Sequence, residues 1–142
     1  MIKLIAGNKG TGKTKALIDL VNQAGKTSKG NVVCIEKGDS LKFDVNYHIR
    51  LIDIEEYKTY GADAYYGFIA GLLAGNYDIT EIFADATLKI ISSEKGTKDI
   101  AALESLIVRL SELLKSTDTQ ITFTVSCDEK DLPDSIKSYV IH

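Results

Sequence analysis

The sequence predicts an α/β domain, a mainly parallel sheet with helices on both faces. Three observations carry this. Short β-branched apolar runs alternate with longer segments of helical period along much of the 142 residues, as strands joined by crossover helices do. Several of these runs are almost continuously apolar, as strands covered on both sides must be. Between the first run and the first helical segment lie Gly7, Gly10 and Gly12, a turn that leads from a strand end into a helix N-terminus.

The elements follow in order. Residues 2–6 (IKLIA) are a short β-branched run. Residues 13–24 have helical pattern, and Gly25 is expected to end that helix as a C-cap. Residues 31–36 (NVVCIE) suit a buried parallel strand, ended by Gly38. Residues 39–47 are polar, a loop or a β-arm, and residues 49–54 are a third β-like stretch. Residues 62–74 read as a helix rich in Tyr65, Tyr66, Phe68, Ile69, Leu72 and Leu73, closing at Gly75 and Asn76. Residues 79–85 are the next strand.

Residues 86–98 show no clear period and include a loop at 92–97. Asp99 is a reasonable N-cap for a helix reaching about residue 115, with Leu103, Leu106, Ile107 and Leu110 in one stripe. Residues 120–126 form a β-branched strand. Pro133, the only proline, begins a polar turn or short helix, and residues 139–141 can close the sheet.

With 142 residues and 44% hydrophobic content, the chain predicts one domain over residues 1–142. A membrane span needs about 20 apolar residues. The longest uncharged run, residues 64–77, is shorter and contains Gly67, Gly71 and Gly75. The first apolar run is brief and interrupted by Lys3, so no signal peptide is expected. Cys34 and Cys127 fall in or beside apolar runs and read as buried small hydrophobes, which suits a reducing cytoplasm.

Net charge is −3, unevenly spread: residues 1–42 carry +5 and residues 43–142 carry −8. The positive N-terminal part suits a small polyanion. The acidic remainder argues against general nucleic-acid binding, which needs a basic face. Lys26, Lys29, Lys37 and Lys42 read as a solvated surface, with a local basic strip as the alternative.

Residues 7–14 read GNKGTGKT, a phosphate-binding P-loop pattern. The glycines let the backbone wrap so that successive N–H groups point at a phosphate. The following helix N-terminus favours an anion. Gly7, Asn8, Lys9, Gly10, Thr11, Gly12, Lys13, Thr14 and Lys15 are therefore the candidate nucleotide contacts. Lys13 supplies charge for the β- and γ-phosphates, and its side chain is expected to face solvent in the empty site. The Thr14 hydroxyl is a candidate Mg²⁺ ligand.

On this loop and its flanking elements the chain resembles the P-loop NTPase superfamily, and its glycine spacing is more similar to the RecA-like ATPase branch than to small GTPases. The resemblance implies a RecA-like strand order, ATP with Mg²⁺, and three further residues. Ile82-Phe83-Ala84-Asp85 fits the Walker B pattern, so Asp85 would hold Mg²⁺ opposite Thr14; the alternative is an aspartate that caps the next segment. Where a glutamate usually follows, this chain has Ala86. Glu36, ending the strand after the P-loop helix, is the implied water-orienting residue; Glu81 is the alternative but lies toward the wrong end of its strand. Ser126 resembles the polar sensor of the terminal phosphate. The implied order also sets residues 139–141 beside the P-loop strand. The chain is further similar to short clostridial-type proteins labelled twitching-motility PilT-like, over residues 1–14, 31–38 and 66–85. It lacks the acidic and histidine boxes of the longer, secretion-type retraction ATPases that the label refers to, having only His48 and His142.

Three functions compete. A small ATP-binding protein with slow hydrolysis would use Glu36 and Lys13 catalytically, slow because Arg50 and Arg109 are the only arginines. Arg109 reads as a surface ion-pair residue. A nucleotide-dependent binding module without turnover, docking an unidentified protein partner, is favoured by Ala86 and by the tyrosine-rich stretch 57–66. A thymidine-kinase-like small-molecule kinase would need a basic lid, for which residues 92–98 with Lys95 and Lys98 are the candidate.

Overall fold

The computed structural model describes residues 1–92 and 97–142. Lys95, one of the two lysines of the candidate lid, lies outside the described residues. Five strands form one all-parallel sheet: β1 (Ile2–Ala6), β2 (Asn31–Glu36), β3 (Arg50–Asp53), β4 (Ile79–Ala84) and β5 (Gln120–Val125), in the order β1-β5-β4-β2-β3. The helices are α1 (Lys13–Thr27), α2 (Ala62–Gly75), α3 (Thr87–Ile91), α4 (Ile100–Leu114) and α5 (Asp134–Lys137). The expected α/β class and parallel sheet are present, in an order compatible with both RecA-like and Rossmann-like sheets.

Alternation along the strands sorts the core into two layers. Val32, Cys34 and Phe83 pack against Leu17, Val21 and Ala24 of α1. Val33, Ile35, Ile82 and Phe123 pack on the other face with Tyr65 and Ile69 of α2 and Leu103, Leu106 and Leu110 of α4. The direction of the connections explains the division. Those that step away from β1, through α1 and residues 37–49, lie on the first face; those that step back, through α2, α3 and α4, lie on the second. Crossovers of a single hand require this.

Residues 37–49 form turns rather than a β-arm. Leu41, Val45 and Ile49 point inward at a spacing of four and join the α1 layer. Asn22 fastens the segment, donating to the Asp44 carbonyl at 2.9 Å and accepting from the Asn46 N–H at 2.9 Å. Gly25 does not end α1. The helix continues to Thr27, and the Ser28 N–H caps it on the Ala24 carbonyl at 2.8 Å. A Cβ at position 25 would stand 2.8 Å from the Ile49 Cδ1, so the glycine serves the close approach of this segment.

Asp99 caps α4 as expected, accepting from the Ala102 N–H at 3.0 Å. Gly75 belongs to α2, whose cap is Asn76. Near the C-terminus the predicted strand is reduced to one parallel bridge, Leu4 to Val140, on the outer side of β1. The Leu4 N–H donates to Tyr139 and the Ile141 N–H to Leu4, each at 2.9 Å. Among the described residues, no helix is long and apolar enough to cross a membrane.

Candidate functional site

The carboxyl ends of β1, β5, β4 and β2 meet at one edge of the sheet. Exits from β1 and β2 go to one face, those from β4 and β5 to the other, so a crevice opens between them, as at the switch points where open α/β sheets bind ligands. The loop of residues 7–12 leaves β1 into this crevice, its Gly7 N–H donating to the Val125 carbonyl of β5 at 3.2 Å. Gly10 and Gly12 have φ of 88° and 83°, conformations that a side chain disfavours. They curl the loop so that α1 starts directly behind it. Thr11 pins the curl, its hydroxyl donating to the Asn8 carbonyl at 2.7 Å.

Lys13 departs from expectation. It is buried, at 9% exposure, and its Nζ donates to the Asn8 carbonyl at 3.0 Å. A desolvated ammonium needs an acceptor, and the loop's own backbone supplies one. Burial lowers its pKa below the usual lysine value, while Asp85 opposes that shift.

Asp85 lies just beyond β4. Its N–H donates to the Ile35 carbonyl at 2.9 Å, extending the β4–β2 pairing by one residue and setting the carboxylate at the strand mouth. Ala86 then turns away at φ 55°, a left-handed conformation unusual for alanine. Two hydroxyls converge on Asp85. Thr14, in the first turn of α1, donates from Oγ1 to the carboxylate at 3.2–3.3 Å. Thr124 of β5 donates to Oδ1 at 2.6 Å and accepts from the Ala86 N–H at 3.0 Å. One threonine thus aims the carboxylate and holds the strained turn beside it.

The sequence does not single out Thr124; it gives the polar role to Ser126 as the end of the 120–126 strand, but β5 ends at Val125 and Ser126 lies just past it. Ser126 stands one residue past the Gly7–Val125 contact, beside the loop. Parity could have revealed Thr124. Ile121, Phe123 and Val125 face the α2/α4 layer, so Thr122 and Thr124 between them must face α1, and Thr124 is the one at the carboxyl end.

Glu36 ends β2 at 2% exposure. Its carboxylate accepts from the Ser40 hydroxyl at 3.2 Å and from the Leu41 N–H at 3.2 and 3.4 Å. Burial raises its pKa, only partly opposed by those bonds. Glu36 is thus bound into the turn after its own strand, while Thr14, Asp85 and Thr124 form a connected group. Glu81 sits opposite Gln120, the first residue of β5, at the amino end of the sheet. Lys9 and Lys15 are exposed.

Arg109 is a surface ion-pair residue as expected, but across helices: it pairs with Asp63 of α2 at 2.8 Å and lies over the Tyr66 ring at 4.0 Å. His142 contacts Glu129 in the turn after β5, and His48 contacts the Gly25 carbonyl near the C-terminal end of α1. Cys34 and Cys127 are buried free thiols, and burial pushes the Cys34 thiol up to about 12. In the stretch 57–66, Tyr65 is core, whereas Tyr57 and Tyr60 are exposed. A cleft of about 360 Å³ lined by Asn76, Tyr77, Thr80 and Thr119 opens at the opposite, amino end of the sheet and shares no residue with this group.

No protein-family model matches the chain, and no curated protein matches it.

Proposed function

We propose that this protein is a small cytoplasmic ATP-binding protein of the P-loop type that hydrolyses ATP slowly. The observation that carries the reading is the bonding of Thr14 and Thr124 to Asp85 beside a loop curled by Gly10 and Gly12. Three elements distant in sequence place a carboxylate and a hydroxyl side by side where a helix N-terminus meets the crevice. That donor pair suits Mg²⁺, which takes one or two protein oxygens and completes its shell with water and phosphate oxygens. Thr14 and Asp85 would hold the ion, whose chemistry is to neutralise phosphate charge.

The remaining roles belong to the chain itself. Lys13 exchanges the Asn8 carbonyl for the β- and γ-phosphates, recovering a charged partner for a desolvated ammonium. Loop amides of residues 7–13 cradle the phosphates, and Lys15 and Ser126 lie at the margins. Glu36 orients the attacking water, its raised pKa favouring proton acceptance nearer neutrality. A second reading, binding without turnover, is favoured by one observation: the Glu36 carboxylate is already committed to Ser40 and Leu41.

Calorimetric titration of Lys13→Ala tests the nucleotide reading. The variant should keep its circular dichroism and lie within about 1 kcal/mol of wild-type stability, since it loses one hydrogen bond, yet show no measurable ATP affinity. Unchanged ATP affinity in the folded variant would remove the loop from the site.

A further inference from the structure

Charge that develops on a terminal phosphate needs positive groups beyond the loop lysine. Neither arginine of the chain can provide them within one molecule. Arg109 is held by Asp63 and Tyr66, and Arg50 begins the edge strand β3 at the amino end of the sheet. Lysines follow the carboxyl ends of β2 and β4 instead. Lys37, directly after β2, donates from Nζ to the Lys89 carbonyl at 3.3 Å and so ties the β2 exit to α3. The Asp99 N–H donates to the hydroxyl of Ser92, the C-cap of α3, at 3.3 Å, which sets Lys98, the residue before Asp99, near that helix end. Lys98 and Lys89 both act electrostatically on Lys13, Lys98 the more strongly, and Lys98 also acts on Cys127 just past β5. Lys37, Lys89 and Lys98 are exposed, and the ion pairs among the described residues involve none of them. Like charges gathered round one crevice repel each other until an anion enters.

We propose that Lys89 and Lys98, with Lys37 bracing α3, form a charge clamp for the terminal phosphate of a nucleoside triphosphate and make the site prefer triphosphates over diphosphates. The inference rests on the nucleotide reading above. It assigns Lys98 a role other than a kinase lid, and it explains how a site without an arginine tells the two nucleotide states apart.

The test is calorimetric titration of the double variant Lys89→Gln/Lys98→Gln with ADP and with a γ-imido analogue of ATP, Mg²⁺ present, at low and high salt. Two exposed charge contacts predict a roughly tenfold loss for the analogue, shrinking at high salt, with ADP affinity within about twofold. Lys89→Arg/Lys98→Arg should retain the preference. Lys26→Gln/Lys29→Gln makes the same change in net charge away from the crevice and should leave the ratio of the two affinities unchanged. Equal losses for both nucleotides, no loss, or the same loss in the Lys26/Lys29 variant would overturn the clamp. Wild-type protein that binds neither nucleotide would instead overturn the nucleotide reading, and the clamp with it.

Discussion

Replacing Thr124 by Val tests the arrangement around Asp85 with little change in volume. The substitution removes a hydroxyl that donates to Oδ1 of Asp85 at 2.6 Å and accepts from the Ala86 N–H at 3.0 Å. A hydrogen bond to a charged group contributes about 1.5–3 kcal/mol, and an orphaned buried N–H costs about 1–3 kcal/mol. Thr124 is buried, but Asp85 and Ala86 are half-exposed, so water recovers part of each loss. The lower end of the combined range applies, about 2–3 kcal/mol. With a urea slope of about 2 kcal/mol per M, the unfolding midpoint should fall by about 1 M. Thr124→Ser keeps the hydroxyl, loses one methyl group and should cost only about 1 kcal/mol. Urea unfolding of all three proteins, followed by circular dichroism at one pH, measures the contrast. If Thr124→Val is as stable as Thr124→Ser, the hydroxyl does not hold Asp85 and the turn at Ala86.

The other predictions concern the two carboxylates. Asp85→Asn removes a charge while keeping an acceptor for Thr124, so calorimetry should show Mg²⁺-ATP binding weakened more than metal-free ATP binding; equal losses would make Asp85 structural. Glu36→Gln should keep ATP affinity and lower turnover by about a hundredfold or more; hydrolysis at the wild-type rate would remove Glu36 from the chemistry. Because burial raises the Glu36 pKa, the folded protein keeps a proton that the unfolded chain releases, between about pH 4.3 and the higher folded value. Wild-type stability should therefore lose a contribution as pH rises through that window, and Glu36→Gln should lack that component. Urea midpoints measured from about pH 4 to about pH 7 check this, and identical slopes in the two proteins would refute it.

Local patterns carried much of the fold. The runs at 31–36 and 120–126 and the stripe of the 99–115 segment were legible because each reflects burial repeated at a fixed period, and the Asp99 cap because one side chain reaches its own helix. The glycines at 10 and 12 were legible because their backbone conformation is a property of the residue itself. Where two effects shared one residue type, sequence misled. Gly25 reads as a helix end, but contact with Ile49 explains it. Residues 87–91 were too few to show a helical period. The expected solvent-facing Lys13 is folded onto Asn8, because a desolvated ammonium takes the nearest carbonyl.

The sequence by itself determined that a glycine-rich loop precedes a helix, that Asp85 ends an apolar strand, and that strands and helices alternate. Its periodicities could not decide which strands are neighbours, and the strand order was an expectation drawn from resemblance alone. Only tertiary structure set β5 between β1 and β4, and that adjacency brings Thr124 to Asp85 across 39 residues and Thr14 to Asp85 across 71. It also bound Glu36 into the turn at Ser40 and Leu41 and brought the Lys37 ammonium to the Lys89 carbonyl across 52 residues. The physical reason is one of range: propensity and periodicity act over a few residues, whereas hydrogen bonds and charge fields depend on distances that only the packed sheet defines.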